Sequence, residues 1–266
     1  MFDLNLWTSA LPLLAALAVA GWLVSLPLRN VSIVDSLWSI LFIGCLGAYL
    51  LNVGEINDRG WLLLALVGTW AFRLSAYITW RNWGEGEDYR YQNIRANNSP
   101  NFAFKSLYIV FGLQAVLAWL ISLPLMGAVA STAPIGPLDW LGAALFVFGL
   151  TWETVGDQQL ARFKADPTNK GKVLDTGLWG LSRHPNYFGE ACLWWGAYLI
   201  AVSAGAWWSI PGPLLITFLL LRVSGVAMLE KDIGERRPEY ARYIRQTNAF
   251  LPGPRKTLEV HQGEVS

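Results

Sequence analysis

Charge, cysteine and histidine are scarce in this chain, and each shortage excludes a class of protein. Charged residues make up only 15% of its 266 residues, against about a quarter in an ordinary soluble domain. The two cysteines, Cys45 and Cys192, both fall in apolar runs, which argues against a disulfide framework or a metal cluster. Two histidines, His184 and His261, are too few for a histidine-rich iron site, so no metal is predicted.

A basic leader and a small-residue cleavage site are also missing from the first residues, so the first apolar run reads as a retained helix and not as a signal peptide. The formal net charge of +1 gives no sign of a nucleic-acid partner. What the chain has instead is apolar surface, with 54% hydrophobic residues and 15 tryptophans. This composition predicts an integral, multi-pass membrane protein.

Apolar runs of the roughly 20 residues needed to cross a bilayer occur seven times. They lie near residues 7–27, 33–52, 60–80, 105–127, 138–158, 187–205 and 209–229. With the N-terminus outside, all but three of the 20 Lys and Arg residues fall in inner loops or in the C-terminal tail, as the positive-inside rule requires. The sequence thus predicts an all-α bundle of seven transmembrane helices with a cytoplasmic C-terminus.

The remaining segments are loops, a surface helix and a tail. Two inner loops, near 82–104 and 159–186, are long, carry turn residues and show no long helical period. A surface helix is expected at about 230–247, with its apolar side on the membrane interface. We predict a single domain over residues 1–252 and a disordered tail over 253–266.

Seven ionisable residues fall within the predicted spans, where each costs about 2.5–3.5 kcal/mol to insert. They are Asp35, Arg73, Glu153, Asp157, Glu190, Arg222 and Glu230. Under the predicted topology all lie in the cytoplasmic halves of their helices. Pairs spaced four residues apart project from one helix face, as in Glu153/Asp157, Arg73/Tyr77 and Asn186/Glu190. The pattern favours a polar cavity open to the cytoplasm, while structural salt bridges would account equally well for any single residue.

A basic loop precedes the sixth predicted span. Pro185 suits the first turn of a helix, so Arg183 and His184 lie just before a helix N-terminus, where unpaired N–H groups favour anions. Further positive charge comes from Lys164, Lys170 and Lys172. The loop is suited to a multiply charged anion, and the alternative is ordinary positive-inside charge or contact with anionic lipid.

Several motifs occur in a fixed order along most of the chain: Val34-Asp35-Ser36-Leu37-Trp38, Glu87-Asp88-Tyr89-Arg90-Tyr91, Gly156-Asp157-Gln158-Gln159, Gly177-Leu178-Trp179, Asn186-Tyr187-Phe188-Gly189-Glu190 and Arg237-Pro238-Glu239-Tyr240. Together they resemble the steroid 5α-reductase family, in particular its bacterial branch of largely uncharacterised membrane proteins. The resemblance implies a seven-helix bundle of the bacterial inner membrane. It also implies binding of NADPH from the cytoplasmic side and reduction of a carbon–carbon double bond conjugated to a carbonyl.

The resemblance implies roles for individual residues as well. The resemblance and the charge of the basic loop together predict the residues that bind the cofactor. They are Arg73, Asp157, Lys164, Lys172, Arg183, His184, Asn186, Glu190 and, more loosely, Glu230 and Lys231. Trp38, Trp70 and Glu153 are expected to border the substrate pocket. No GxGxxG motif occurs, so the predicted nucleotide site is not of the Rossmann type.

Two departures from the family bear on the substrate. The steroid enzymes hold the substrate ketone with a Gln-Glu pair on the second helix and a Tyr on the third, whereas this chain has Asp35-Ser36 and Trp70. The acid is retained and the phenol is not, which favours the same reaction on a different lipophilic substrate drawn from the bilayer. Negative charge that develops on the carbonyl oxygen needs a hydrogen-bond donor. A carboxyl kept protonated by an apolar pocket can supply it, so we predict Asp35 as the acid, assisted by Tyr77 or Tyr187.

Two other functions stay open at this point. An S-adenosylmethionine-dependent membrane methyltransferase of lipid-like substrates shares an Arg-His-Pro-x-Tyr-x-Gly run with Arg183 to Gly189. A non-enzymatic membrane protein, transporter or scaffold, is the second, although no internal repeat supports a transporter. The expected partners are a lipophilic small molecule and membrane lipid, with no obligatory protein partner.

Overall fold

The computed structural model of the chain describes residues 2–223 and 238–256, and the regular structure in that part is helical. The chain divides into two compact units. Unit 1 comprises Met1–Ala144 and Trp195–Leu214, and unit 2 comprises Leu145–Trp194 and Leu215–Ser266.

The α-helices that lie wholly in unit 1 are α1 (Leu4–Thr8), α2 (Leu11–Leu28), α3 (Val34–Asn52), α4 (Asp58–Asn82), α5 (Tyr89–Asn97), α6 (Phe102–Ser106), α7 (Leu113–Ile121) and α8 (Leu123–Val129). They are followed by α9 (Pro137–Ala165), α10 (Leu178–Leu181), α11 (Pro185–Ser203), α12 (Pro211–Phe218) and α13 (Pro238–Gln246). Helix α9 passes from unit 1 into unit 2, and α11 returns from unit 2 to unit 1. Segments of π-helix continue α6 over Leu107–Gly112 and α12 over Leu219–Val223.

Five helical stretches are long and apolar enough to cross a membrane: Leu4–Leu28, Val31–Asn52, Asp58–Asn82, Phe102–Ile121 and Pro137–Ala165. They confirm the first five predicted spans as apolar helices of spanning length. The sixth predicted span is helical over Pro185–Ser203. The seventh corresponds to a shorter apolar helix, Trp207–Arg222, and its remainder lies outside the described residues. The fold is therefore that of a helical membrane protein, while the count of seven and the orientation stay predictions.

Helix α3 is the centre of unit 1, because α2, α4 and α7 all pack against it. Its side chains Leu41, Phe42 and Leu46 are fully buried. A helix that is apolar on every side suits such a central position, where no face meets water.

A buried ion pair joins the start of α4 to the start of α9 within unit 1. The guanidinium of Arg59, only 1% exposed, donates to both oxygens of Asp139 at 2.7 and 3.0 Å. Its other donors reach the carbonyls of Ala133 and Pro134 at 3.0 and 3.1 Å, and the Ser203 hydroxyl donates to Asp139 at 2.6 Å. These hydrogen bonds offset the desolvation of both charges. Arg59 is one of the three basic residues that the predicted topology does not place in the inner loops or the tail. The ion pair gives it a structural role.

In unit 2, α9 and α11 cross with their backbones in contact. A Cβ added to Gly149 would lie 2.5 Å from the Gly189 carbonyl oxygen, and one added to Gly189 would lie 2.6 Å from the Glu153 nitrogen. Both distances are well below a van der Waals contact, so only glycine fits at either position. The crossing brings together the helix segments that carry the predicted polar residues.

Two parts of the chain differ from the sequence-based expectation. The loop predicted near 82–104 contains α5, which begins after Asp88, whose carboxylate accepts a hydrogen bond from the Arg90 nitrogen at 2.9 Å. The tail expected to be disordered from Gly253 is bound at its start. Gly253 donates its N–H to Leu181 at 3.1 Å. Residues after 256, and those between 223 and 238, lie outside the described part, so the predicted surface helix is described only as α13.

Replacing Gly149 with alanine tests the helix crossing. The added methyl must push α9 and α11 apart, and such overpacking costs about 1–3 kcal/mol. We expect a lower midpoint for Gly149→Ala in thermal or SDS unfolding of the purified protein. Gly47→Ala on α3 is the matched control, because nothing lies within 4 Å of its added Cβ, and it should unfold no earlier than the parent. Equal midpoints for both variants would contradict the close crossing.

Candidate functional site

Asp35 lies in the first turn of α3, and α5 brings two partners to its carboxylate. The Arg90 guanidinium donates to one oxygen at 2.7 Å, and the Tyr91 hydroxyl donates to the other at 2.5 Å. The side chains of Asp35 and Arg90 are 17% and 23% exposed, whereas Tyr91 is buried. We call these three residues the Asp35 cluster.

The role of Asp35 as a protonated acid stays a prediction, and the structure adds two donors to its carboxyl group. A guanidinium and a phenol that both donate to a carboxylate stabilise its ionised form. Burial raises the pKa of Tyr91, and the Asp35 carboxylate raises it further, so the phenol keeps its proton. Burial would lower the pKa of Arg90, but the carboxylates of Asp35 and Asp88 outweigh it and raise that pKa. Tyr91 is therefore the donor in its hydrogen bond with Asp35.

Acidic residues ahead of α5 hold it against the start of α3. Glu87 accepts from the Val31 N–H at 2.8 Å and from Arg95 at 2.7 and 2.8 Å. The Asp88 N–H donates to the Ser32 hydroxyl at 3.2 Å. Burial alone would raise the pKa of Glu87, but the hydrogen bonds from Arg95 and Val31 outweigh it and lower the pKa. These contacts determine the position from which α5 reaches the Asp35 cluster.

The predicted pocket residues Trp38 and Trp70 are connected through Phe42. The Trp38 and Phe42 ring centroids are 4.9 Å apart and edge-on, and those of Phe42 and Trp70 are 5.7 Å apart. Phe42 and Trp70 are fully buried, while Trp38 is half-buried and one helical turn from Asp35. Trp70 is accordingly a packing residue, and Trp38 is the member of the pair that offers accessible surface.

Arg73 and Tyr77 of α4 contact one another, as their four-residue spacing predicts. The Arg73 guanidinium carbon lies 5.3 Å from the Tyr77 ring centroid, and that of Arg81 lies 5.7 Å from it. The Tyr77 ring is therefore a cation–π partner of two arginines. Its predicted assistance to Asp35 stays untested by this geometry.

Unit 2 brings together polar residues of α9 and α11. Asp157 and Glu153 are each 3% exposed and Glu190 is 8% exposed. The Asn186 amide donates to Asp157 at 3.4 Å, a long hydrogen bond that links two of the predicted cofactor residues. Carboxylates buried to this extent require polar or charged partners. The set that the motifs predicted for these two helices is thus a buried polar cluster.

Arg183 has a structural role that the sequence did not predict. Its guanidinium donates to the carbonyls of Ile244 and Thr247 at 3.0 and 2.5 Å, and its backbone N–H donates to Asn248 at 2.9 Å. Ile244 lies in the last turn of α13 and Thr247 follows it, so Arg183 caps the C-terminus of that helix. Its predicted part in anion binding stays a prediction.

The other predicted residues of the basic loop fall into two groups. His184 is buried and its ring stacks on Tyr187, with centroids 5.4 Å apart and planes 5° from parallel. Lys164 and Lys172 instead line a cavity of about 390 Å³ beside the end of α9. Glu230 and Lys231 lie outside the described residues.

Sequence reasoning assigned no role to Arg90 or Tyr91, the two partners of Asp35. The signal was present in the run Glu87 to Tyr91, which resembles the family and places an N-capping Asp88 before a helix. What the run does not show is its tertiary partner, which lies more than 50 residues earlier in the chain.

Acid should loosen α5. Because the pKa of Glu87 is lowered from its ordinary 4.5, its ion pair stabilises the fold above that value and is lost as the pH falls through the lowered pKa. The pKa of Asp88 is lowered as well, so its contribution has the same sign. Hydrogen exchange, corrected for intrinsic rates, should show less protection of residues 89–97 at pH 3.5 than at pH 7, with α7 as the internal reference. Glu87→Gln should reduce the pH dependence, and an unchanged profile in the parent would contradict the ion-pair assignment.

Comparison with known proteins identifies a family whose description gives no function. A family described as "Protein of unknown function (DUF1295)" matches residues 21–247. An uncharacterized protein of Schizosaccharomyces pombe is 28% identical over 270 residues, which covers 87% of this chain and 75% of that protein. No solved structure matches the chain significantly. Because the family match spans most of its length, the chain belongs to the DUF1295 family.

Proposed function

We propose that this protein is an NADPH-dependent membrane reductase, related to the steroid 5α-reductases, that acts on a carbon–carbon double bond conjugated to a carbonyl. The substrate is a steroid-like or other lipophilic molecule taken from the bilayer. The observation that carries the proposal is the Asp35 cluster, in which a buried phenol that keeps its proton is held on a carboxylate at the start of an apolar helix.

A phenol in this position has the chemistry that the reaction needs. NADPH supplies a hydride to the β-carbon of the substrate. Negative charge then develops on the carbonyl oxygen, and a preorganised donor stabilises it. In this proposal Tyr91 is that donor: its single O–H proton turns from Asp35 to the carbonyl oxygen when substrate binds, while Arg90 remains on the carboxylate. Tyr91 thus replaces the phenol that the steroid enzymes carry at the position of Trp70. Arg90 donates to Asp35 at 2.7 Å, and in this proposal Asp35 positions the phenol and does not itself donate a proton.

The buried polar cluster of unit 2 fits the cofactor chemically. Asp157 provides an acceptor and Asn186 provides both a donor and an acceptor, the complement of a carboxamide such as that of nicotinamide. The burial of Asp157 favours hydrogen bonds for which water does not compete. Glu190, one turn beyond Asn186 on α11, belongs to the same helix segment.

The methyltransferase stays the alternative. It rested on the run from Arg183 to Gly189, and three residues of that run have structural roles. Arg183 caps α13, Pro185 begins α11, and Gly189 allows α11 to contact α9. These structural roles give the run a second explanation, and the cofactor experiment below distinguishes the two.

The proposal includes the topology. Five apolar helices of spanning length, the shorter helix Trp207–Arg222 and α11 together account for seven spans. The clustering of Lys and Arg places the N-terminus outside and the C-terminus in the cytoplasm. The membrane is the bacterial inner membrane in this proposal.

Thermal unfolding of the detergent-purified protein tests the cofactor. NADPH should raise the midpoint by several degrees, since ligand at about 100 times its Kd stabilises by roughly 2.7 kcal/mol. Asn186→Ala should abolish the shift, and Asn93→Ala, which alters an exposed amide on α5, should retain it. A shift with S-adenosylmethionine alone would establish the methyltransferase instead. No shift with NADPH, NADH or S-adenosylmethionine would favour a non-enzymatic role.

Tyr91→Phe tests the donor. Loss of one oxyanion donor lowers kcat by about 10²–10³, so enone reduction in reconstituted vesicles should fall by that factor while the NADPH-induced shift persists. Tyr89→Phe, which removes an exposed phenol from the same helix, should leave turnover unchanged. Full turnover by Tyr91→Phe would refute the assignment, and full turnover by Asp35→Asn would show that the positioning carboxylate is dispensable.

A further inference from the structure

The cavity of about 390 Å³ in unit 2 combines positive charge with an aromatic floor. Its volume is in the range of small-molecule pockets, about 300–1,000 Å³. It lies where α9 ends, and its walls come from the last turns of α9, the loop over residues 166–174, Trp179 and α13.

The loop holds two lysines at the cavity by defined turn geometry. Asn169 donates its side-chain amide to the Phe163 carbonyl at 3.1 Å, which anchors the loop to the end of α9. Gly171 has φ +88°, a conformation that favours glycine, and it separates Lys170 from Lys172. The Lys172 N–H donates to the Asn169 carbonyl at 3.0 Å, closing the turn. Both lysines line the cavity as a result.

The aromatic floor is held by hydrogen bonds of its own. The Trp179 indole donates to the Gly156 carbonyl at 2.9 Å. The Tyr243 hydroxyl donates to the Trp179 carbonyl at 2.6 Å, and the ring of Tyr240 packs edge-on against Tyr243 with centroids 5.4 Å apart. Burial raises the pKa of Tyr243, so its hydroxyl stays neutral. The floor therefore offers fixed apolar surface next to the lysines.

The charge balance of the lining favours an anion. The lining contains three lysines, Lys164, Lys170 and Lys172, and one carboxylate, that of Asp166. The Asp166 carboxylate already accepts a hydrogen bond from the Thr168 N–H at 2.9 Å. The three lysines are exposed, so an anion can reach them from solvent. Ordinary positive-inside charge does not require a concave site or a partly buried aromatic floor, and both are present here.

We propose that this cavity binds a phosphate group, carried either by a lipid headgroup or by a soluble phosphate ester. Lysine ammonium groups bind phosphate as point charges, and the floor of Trp179, Tyr240 and Tyr243 covers the organic part of the ligand. Basic pockets beside transmembrane helices bind phosphorylated lipid headgroups by the same chemistry. Lys164 and Lys172 are also among the residues predicted for the cofactor, whereas none of the Asp35 cluster, Asp157 or Asn186 lines the cavity. Phosphate binding here can therefore be tested without turnover or NADPH.

Thermal unfolding of the full chain in maltoside detergent, followed by tryptophan fluorescence, tests the proposal with three probes. They are dioctanoyl phosphatidic acid, glycerol 3-phosphate, and dioctanoylglycerol as the phosphate-free match. A rise in midpoint with phosphatidic acid alone assigns the phosphate to a lipid. A rise with both phosphates and none with dioctanoylglycerol assigns the site to phosphate esters in general. No rise with either phosphate, or an equal rise with dioctanoylglycerol, overturns the proposal.

Variants locate the response. Each lysine near an anionic group is worth about a fivefold change in affinity, so Lys170→Gln with Lys172→Gln should weaken the apparent Kd for the responding phosphate by about 25-fold. Arg162→Gln removes an exposed cation from the last turn of α9 that is not part of the lining, and it should change that Kd less than twofold. Equal weakening by the control would mean general surface charge and overturn the site.

Discussion

The backbone contact between α9 and α11 is the constraint on which unit 2 depends. With glycine at 149 and 189 the two helices approach until the Cβ of any other residue would overlap the opposite backbone. Asn186 and Asp157 meet further along these helices. A wider crossing would separate the amide from the carboxylate and leave a buried charge without that partner. Helix packing and the chemistry of the cluster therefore have the same cause.

Much of the fold was predictable, because hydropathy over 20-residue windows reports the cost of placing a helix in hydrocarbon. The pairing of Asp157 with Asn186 could also be anticipated, since each lies in a motif and on the expected helix face. Helix α5 could not. It is short and polar, and its stability comes from the Asp88 cap and from contacts to the start of α3. Local patterns carry no information about such distant partners.

Asp35 and Arg183 both have tertiary partners that the sequence did not predict. Asp35 was predicted as a protonated acid because only its apolar helix was considered, and Arg183 was predicted to bind anions because only its charge was. In both cases the structure adds a tertiary partner: Arg90 donates to the Asp35 carboxylate, and carbonyls at the end of α13 accept from Arg183. The electrostatics of a residue near a membrane follow from its contacts more than from its depth.

The buried pair of Arg59 and Asp139 has a consequence for biosynthesis. The two residues are separated by 80 positions, and the chain between them forms α4 to α8. While the chain is being made, Arg59 stands at the start of a spanning helix with its carboxylate partner still unsynthesised. An unpaired cation of this kind is costly in hydrocarbon, so the first turn of α4 must stay at the water boundary until α9 arrives. The final packing of these helices is thus a late event in assembly, even though α4 itself enters the membrane early.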